Sequence, residues 1–246
     1  VALVDSLFER LLNAFPKKGL WTMSINRRQF SMRLAALTAP FMAGLAGPEL
    51  GLLRPASAQA NVDEGIDYKV LREPVATSSP GKIEILEFFW YACPHCFHLE
   101  PHLNKWKTKL PSDVVFKKVH VAFRGDVHQK IFYTLEALGK ADSLGGKVFE
   151  QIHQRGNAMG MLLEVSEWAK TQGIDVAKFE GLWNSFGVQT QQKRANALVE
   201  SYKVEGVPTF GVNGRFVTSP AMVGGSHTRA LQVVDYLIAQ ERKRRK

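Results

Sequence analysis

"KIEILEFFWYACPHCFHLEP", Lys82 to Pro101, holds both cysteines of the chain, Cys93 and Cys96, in one four-residue loop. Ahead of the loop, Ile83, Ile85, Leu86, Phe88 and Phe89 are too dense for a half-exposed strand and predict one buried on both faces. Behind it, residues 96–110 carry Phe97, Leu103, Trp106 and Leu110 at helical spacing, and Pro101 predicts a kink or a break after the first turn. "DVVFKKVHVAF", 113–123, sets Val114, Phe116, Val119 and Val121 in a strand pattern. Strand, helix, strand is a βαβ unit, whose crossover is expected to be right-handed.

A Cys-x-x-Cys loop between a buried strand and a helix is the redox arrangement of a thioredoxin-like fold. The spacing sets Cys93 at the helix N-terminus, where it is expected to be exposed and where free N–H groups and the helix dipole favour a thiolate. Cys96, one turn on, is expected to be more buried and able to attack a mixed disulfide from within. Pro94 suits an early helical position because it has no N–H to leave unpaired. His95 adds a positive charge or a donor near the sulfur. An inert structural disulfide is the plainer reading, but closing so short a loop stabilises little. A zinc site would need two more ligands at ligand spacing, which the scattered histidines do not supply, and covalent haem would need His where Phe97 stands.

The formal charge of the 246 residues is +9, unevenly spread. Residues 1–60 hold seven Lys/Arg against three acids, and the final "ERKRRK" holds five against one, so the chain between is near neutral. That is not the footprint of a nucleic-acid binder. The basic tail reads as a solvated end. Met23 to Ala60 has a positive start with Arg27, Arg28 and Arg33, a weakly apolar stretch, and Ala58-Gln59-Ala60 at its end. This is the pattern of an export signal, residues 23–60, cleaved after Ala60. "NRRQF" resembles a twin-arginine signal. Pro40, Pro48 and Glu49 break the apolar region, against a membrane span. Residues 1–22 read as a non-native upstream extension, and the mature chain is expected to begin near Asn61. Outside the inner membrane a cysteine pair can cycle or lock as a disulfide.

Three parts are expected after Asn61. Residues 61–125 hold a short edge strand in "DYKVL" and the βαβ unit. Residues 126–202 are helical in period, with breaks at Gly145-Gly146, Gly156, Gly173 and Gly187. Residues 203–246 hold two strands joined by Asn213-Gly214, an amphipathic helix with Leu231, Val234, Leu237 and Ile238, and the basic tail. The fold class is therefore α/β, thioredoxin-like, with an inserted α-helical domain.

"EFFWYACPHCFHLE" (87–100), followed far downstream by "GVPTFGVNG" (206–214), resembles the DsbA family of periplasmic thiol:disulfide oxidoreductases. The resemblance covers most of residues 61–246. It implies that Cys93 is the nucleophile, Cys96 the resolving thiol and Cys93–Cys96 a strongly oxidising, redox-active disulfide. It makes Val207-Pro208 a cis-proline loop whose Val207 backbone pairs with extended substrate. Glu87 matches a buried acid beneath the site and Glu100 another acid near the loop. A charged residue in an apolar strand is costly unless paired or protonated, which invites a proton-handling role for Glu87. His98 and His102 read as surface residues, Trp90 and Tyr91 as core or groove wall.

The implied protein is an exported monomer in the periplasm of a Gram-negative bacterium, with no cofactor and no metal. Its partners are unfolded exported proteins with free cysteines, and a DsbB-like, quinone-linked membrane oxidase that regenerates the disulfide. The alternatives within and outside redox chemistry are a disulfide reductase or isomerase, and a non-catalytic peptide-binding module. Isomerases of the related type carry an N-terminal dimerisation domain, and the short stretch between Asn61 and the first core strand weighs against that reading.

Overall fold

Seven consecutive residues of the strand that precedes the cysteines, Ile83–Phe89 (β2), are buried, including Glu84 and Glu87. A strand covered on both faces must lie inside a sheet. The computed structural model describes residues 61–245; the expected upstream extension and export signal lie outside the described residues. Strand β1 (Lys69–Val70) is at one edge and β3 (Val114–His120) at the other. With β4 (Thr209–Val212) and β5 (Phe216–Thr218) the order is β1-β5-β4-β2-β3. β2 pairs parallel with β3, and antiparallel with β4. The result is a mixed α/β sheet of thioredoxin type.

Side chains alternate between the faces of β2. Ile83 and Ile85 pack with Leu99, Leu103 and Trp106 of α1 (Pro94–Lys107) and with Val233, Val234 and Leu237 of α7 (His227–Arg244). Leu86 and Phe88 share the other cluster with Tyr202 and with the helices between β3 and β4. These are α2 (Val127–Ala137), α3 (Ala141–His153), α4 (Leu162–Thr171), α5 (Val176–Trp183) and α6 (Phe186–Ser201). Three helices start on side-chain caps: Asp175, Ser185 and Ser226 each accept from the N–H three residues on. No helix among the described residues is long and apolar enough to cross a membrane.

Two expectations need correction. α1 runs unbroken through Pro101. A proline costs the helix one N–H donor, but Leu99, Leu103 and Trp106, on both sides of it, are buried and hold the helix to the sheet. Gly145 and Gly146 lie inside α3, and Gly187 inside α6; the break ahead of α3 is Gly139, at φ 67°. The basic run continues α7, and Lys243, Arg244 and Arg245 are exposed, as expected of a solvated end. Arg242 is paired with Asp113 at 2.6 Å and Arg244 with Glu241 at 2.9 Å, while Arg245 donates to the Lys82 carbonyl at 2.8 Å. The helix end is stitched to the start of β2 and to the loop before β3.

The β4–β5 turn shows why its glycine spacing matters. Asn213 and Gly214 take positive φ, 49° and 68°. Tyr202 lies across β4, its hydroxyl accepting from the Gly214 N–H at 3.0 Å and its ring 5.2 Å from that of Phe88. A Cβ on Gly211 would stand 2.3 Å from the Tyr202 ring. Gly211→Ala is therefore expected to destabilise the fold by about 1–3 kcal/mol through overpacking, read as a lower denaturation midpoint at unchanged slope.

Candidate active site

The end of β2 turns sharply before α1 begins. The Cys93 N–H donates to the Trp90 carbonyl at 3.0 Å, and the Phe97 N–H to the Cys93 carbonyl at 3.1 Å, the first bond of the helix. Cys93 is the N-cap of α1, in extended conformation, with Pro94 in the first turn. Its sulfur therefore faces backbone donors that have no partner within the helix. Both cysteines are free thiols.

Their environments differ in kind. The Cys96 side chain acts as donor to Cys93, and the backbone groups of Cys96 and His95 and the charge of His95 assist; together they outweigh burial and bring the Cys93 thiol down to about 6. Cys96 has no exposure, and burial, with Cys93 and Glu87 beside it, pushes its thiol far up. Cys93 is itself only 7% exposed, against the expectation of an open sulfur. Its cover comes from the far end of the chain. The Cys93 thiol donates to the Val207 carbonyl at 3.4 Å, and the Val207–Pro208 peptide is cis. Pro94 and His95 are exposed at the rim. A cavity of about 1120 Å³ opens beside this loop, lined among others by Leu71, His95, Val207, Pro208, Met222 and His227. His98 and His102 are exposed, and His102 lies 5.9 Å from His227 between ring centres.

Beneath the cysteines, β2 carries two buried carboxylates with opposite fates. Glu84 accepts from the Ser78 and Ser79 hydroxyls at 2.7 and 3.0 Å and from Lys117 at 3.0 Å. Burial would raise it, but these bonds leave it below the usual carboxylate range. Glu87 has no exposure, and neither carboxylate oxygen has a well-aligned hydrogen bond. The nearest opposite charge among the described residues is Lys118, at 3.3 Å. Burial dominates, and the Glu87 carboxyl is pushed up to about 7. Lys118 also pairs with Glu100, so the two expected acids meet at one ammonium. Burial alone would lower that ammonium; the two carboxylates outweigh it and raise it. Its Nζ also sits 4.7 Å above the Phe89 ring.

Lys118 was not among the residues picked from sequence. It stands directly opposite Glu87 in the β2–β3 register. The available signal was a lysine pair inside the otherwise apolar run "VVFKKVHV". His120, at the end of β3 and wholly buried, was missed as well.

Chemically, the arrangement offers one ionised sulfur at a groove, a second sulfur behind it that is poor at holding negative charge, and a carboxyl able to hold or release a proton near neutrality.

The DSBA-like thioredoxin domain matches residues 127–232. The thiol:disulfide interchange protein DsbA of Bordetella parapertussis is 44% identical over 178 residues, covering 72% of this chain and 85% of the relative. The protein of that name from Pseudomonas aeruginosa PAO1 is 39% identical over 180 residues, with the same coverage. Among solved structures, the crystal structure of Pseudomonas aeruginosa DsbA superposes with TM-score 0.71 at 38% identity, covering 74% of this chain and 95% of that one. The oxidoreductase NmDsbA1 from Neisseria meningitidis gives 0.65 at 26% identity, covering 76% and 97%.

Proposed function

The chain belongs to the DsbA family of thiol:disulfide interchange proteins, disulfide-introducing oxidoreductases, and we propose that in it Cys93 and Cys96 form the redox-active pair. The observation that carries this is the asymmetry of the two sulfurs: Cys93 caps α1 and faces the Val207–Pro208 loop, while Cys96 is buried behind it.

In the oxidised protein a substrate thiolate attacks the Cys93 sulfur. The Cys93–Cys96 bond breaks, and Cys96 leaves with the electron pair and takes up a proton. The second substrate thiolate then attacks the substrate sulfur of the mixed disulfide, and Cys93 leaves as a thiolate. The substrate gains one disulfide and the protein ends as a dithiol. Glu87 serves the proton that Cys96 needs, and Glu100, sharing Lys118 with it, tunes the site. Pro94 and His95 tune the Cys93 thiolate. Val207 and Pro208 bind extended substrate, with the Val207 backbone as the pairing edge.

The substrates are exported, unfolded proteins with free cysteines, and the compartment is the periplasm. Reoxidation falls to a DsbB-like, quinone-linked membrane oxidase. The chain works as a monomer in which residues 126–202 are a helical insertion between the two parts of a thioredoxin-like domain, 61–125 and 203–246.

The test is the ionisation of Cys93 in the reduced protein, followed by thiolate absorbance and by the pH dependence of alkylation. A midpoint near 6, with Cys96 silent, is expected; a midpoint near 9 overturns the assignment. A linked result follows. A thiol whose folded pKa is depressed stabilises the reduced protein fully above its ordinary value of 9.0, and this is lost as pH falls through about 6. The disulfide form has no such group. The reduced protein should melt above the oxidised one at pH 8, and that gap should narrow towards pH 6.

A further inference from the structure

We propose that His153 is a positioning residue for the redox loop, held out to it from α3. This rests on the assignment of Cys93 and Cys96 as the redox pair.

The loop is gripped at both of its ends by one imidazole. His153 Nε2 donates to the Tyr91 carbonyl at 2.8 Å, two residues before Cys93. The same ring stacks on Phe97, the residue after Cys96, at 4.9 Å between centres and 10° between planes. One turn earlier on α3, the Phe149 ring meets Tyr91 edge-on at 5.0 Å. Gly145, two turns earlier, lies over the Tyr91 hydroxyl, where an added Cβ would be 3.5 Å away. From the opposite side the Tyr91 N–H donates to His120 Nε2 at 3.2 Å, which fixes His120 as the neutral tautomer with its proton on Nδ1. Tyr91 is thus held at its N–H, its carbonyl and its ring.

The consequence reaches the sulfur through distance. What lowers Cys93, besides the charge of His95, is the Cys96 thiol and the backbone of Cys96 and His95. Such bonds weaken steeply with misalignment, so they need the turn from Tyr91 to Phe97 kept in one geometry. Without the contact at its carbonyl, Tyr91 loses the hydrogen bond on the peptide that joins it to Ala92 and keeps the one from its N–H to His120. Without the ring on Phe97, the first turn of α1 loses its outer wall. α3 therefore takes part in setting the redox poise through a residue that touches neither sulfur.

Three variants separate the two contacts. His153→Gln keeps an N–H donor, His153→Phe keeps the stacked ring, and His153→Leu keeps neither. Each is read by the Cys93 titration midpoint and by the thiol–disulfide equilibrium against glutathione. His153→Leu should make the pair about tenfold less oxidising and raise the midpoint by about one pH unit. The Gln and Phe variants should each lie between it and the wild type, at about threefold, within the range of a single hydrogen bond or aromatic contact. Loss of stability with both readouts within twofold of wild type would show that His153 only packs, and overturns the proposal. Should the Leu variant not fold, the same two readouts on Gln and Phe decide it, and no change in either overturns it. A wild-type midpoint near 9 would instead defeat the assignment of Cys93, whereas a wild-type midpoint near 6 with unmoved variants defeats only the role of His153.

Discussion

Replacing Cys93 by serine abolishes the oxidation of reduced, unfolded substrates, down to the uncatalysed background. A hydroxyl cannot form a disulfide with Cys96, and Cys96, with no exposure, cannot be reached from solution by a substrate thiolate. Replacing Cys96 by serine has a different result. Cys93 keeps its position as N-cap and its neighbouring backbone donors, and remains nucleophilic. Given a substrate disulfide, its thiolate attacks one sulfur and expels the other, and no second thiol is present to release the product. The Cys96→Ser protein should therefore accumulate a covalent complex, visible on non-reducing gels and dissolved by reductant. Cys93→Ser should form none. Oxidation that survived in Cys93→Ser would remove the chemistry from this loop and leave the groove beside Pro208 as a binding surface alone.

The contrast between the two cysteines was legible before any coordinates, because it follows from local geometry. A buried strand, a tight loop and a helix start place one sulfur outward and the next a turn inward. Two particulars were not legible. The cover over Cys93 is the Val207 carbonyl, more than a hundred residues downstream; the resemblance brought the Val207-Pro208 loop to the site, but nothing near Cys93 announces that it buries the sulfur. The unbroken α1 was misread because proline's local cost was weighed without the burial on either side of Pro101 that the sheet supplies. Gly145-Gly146 failed for a related reason. Glycine marks a break only where positive φ is needed; Gly145 and Gly146 sit inside α3 without it, whereas Gly139, Gly156 and Gly173 take positive φ.

Glu84 and Glu87 carry this furthest. Three residues apart on one strand, both buried, they look alike in sequence. Glu84 owes its comfort to the Ser78-Ser79 turn just ahead of β2, a local device that a reader of the sequence could have matched to it. Glu87 owes its discomfort to having no such well-aligned donor among the described residues, and its nearest relief, Lys118, comes from the neighbouring strand. Partners across a parallel pair have no fixed spacing in the chain. A buried acid can be flagged from sequence, but whether it is satisfied cannot.

That discomfort makes Glu87→Gln a stabilising change. With the folded pKa raised from 4.5 to about 7, the folded protein holds the proton more tightly than the unfolded chain does. Its contribution is whole below about 4.5 and is lost as pH rises through about 7. At pH 7–8 the fold is thus weaker than it would be with a neutral group, by about 3 kcal/mol at most. Glutamine has the same shape and never ionises, and Lys118 keeps Glu100 as its counter-ion. Denaturant titrations should place the variant above the wild type at pH 8 and level with it near pH 4.5. The step in which Cys96 leaves and takes up its proton would lose the part of its pH profile centred near 7, since the amide can neither give nor take that proton. A Gln variant less stable than wild type at pH 8 would mean that the Lys118 pairing outweighs burial, and that Glu87 is there to hold the strands together rather than to handle a proton.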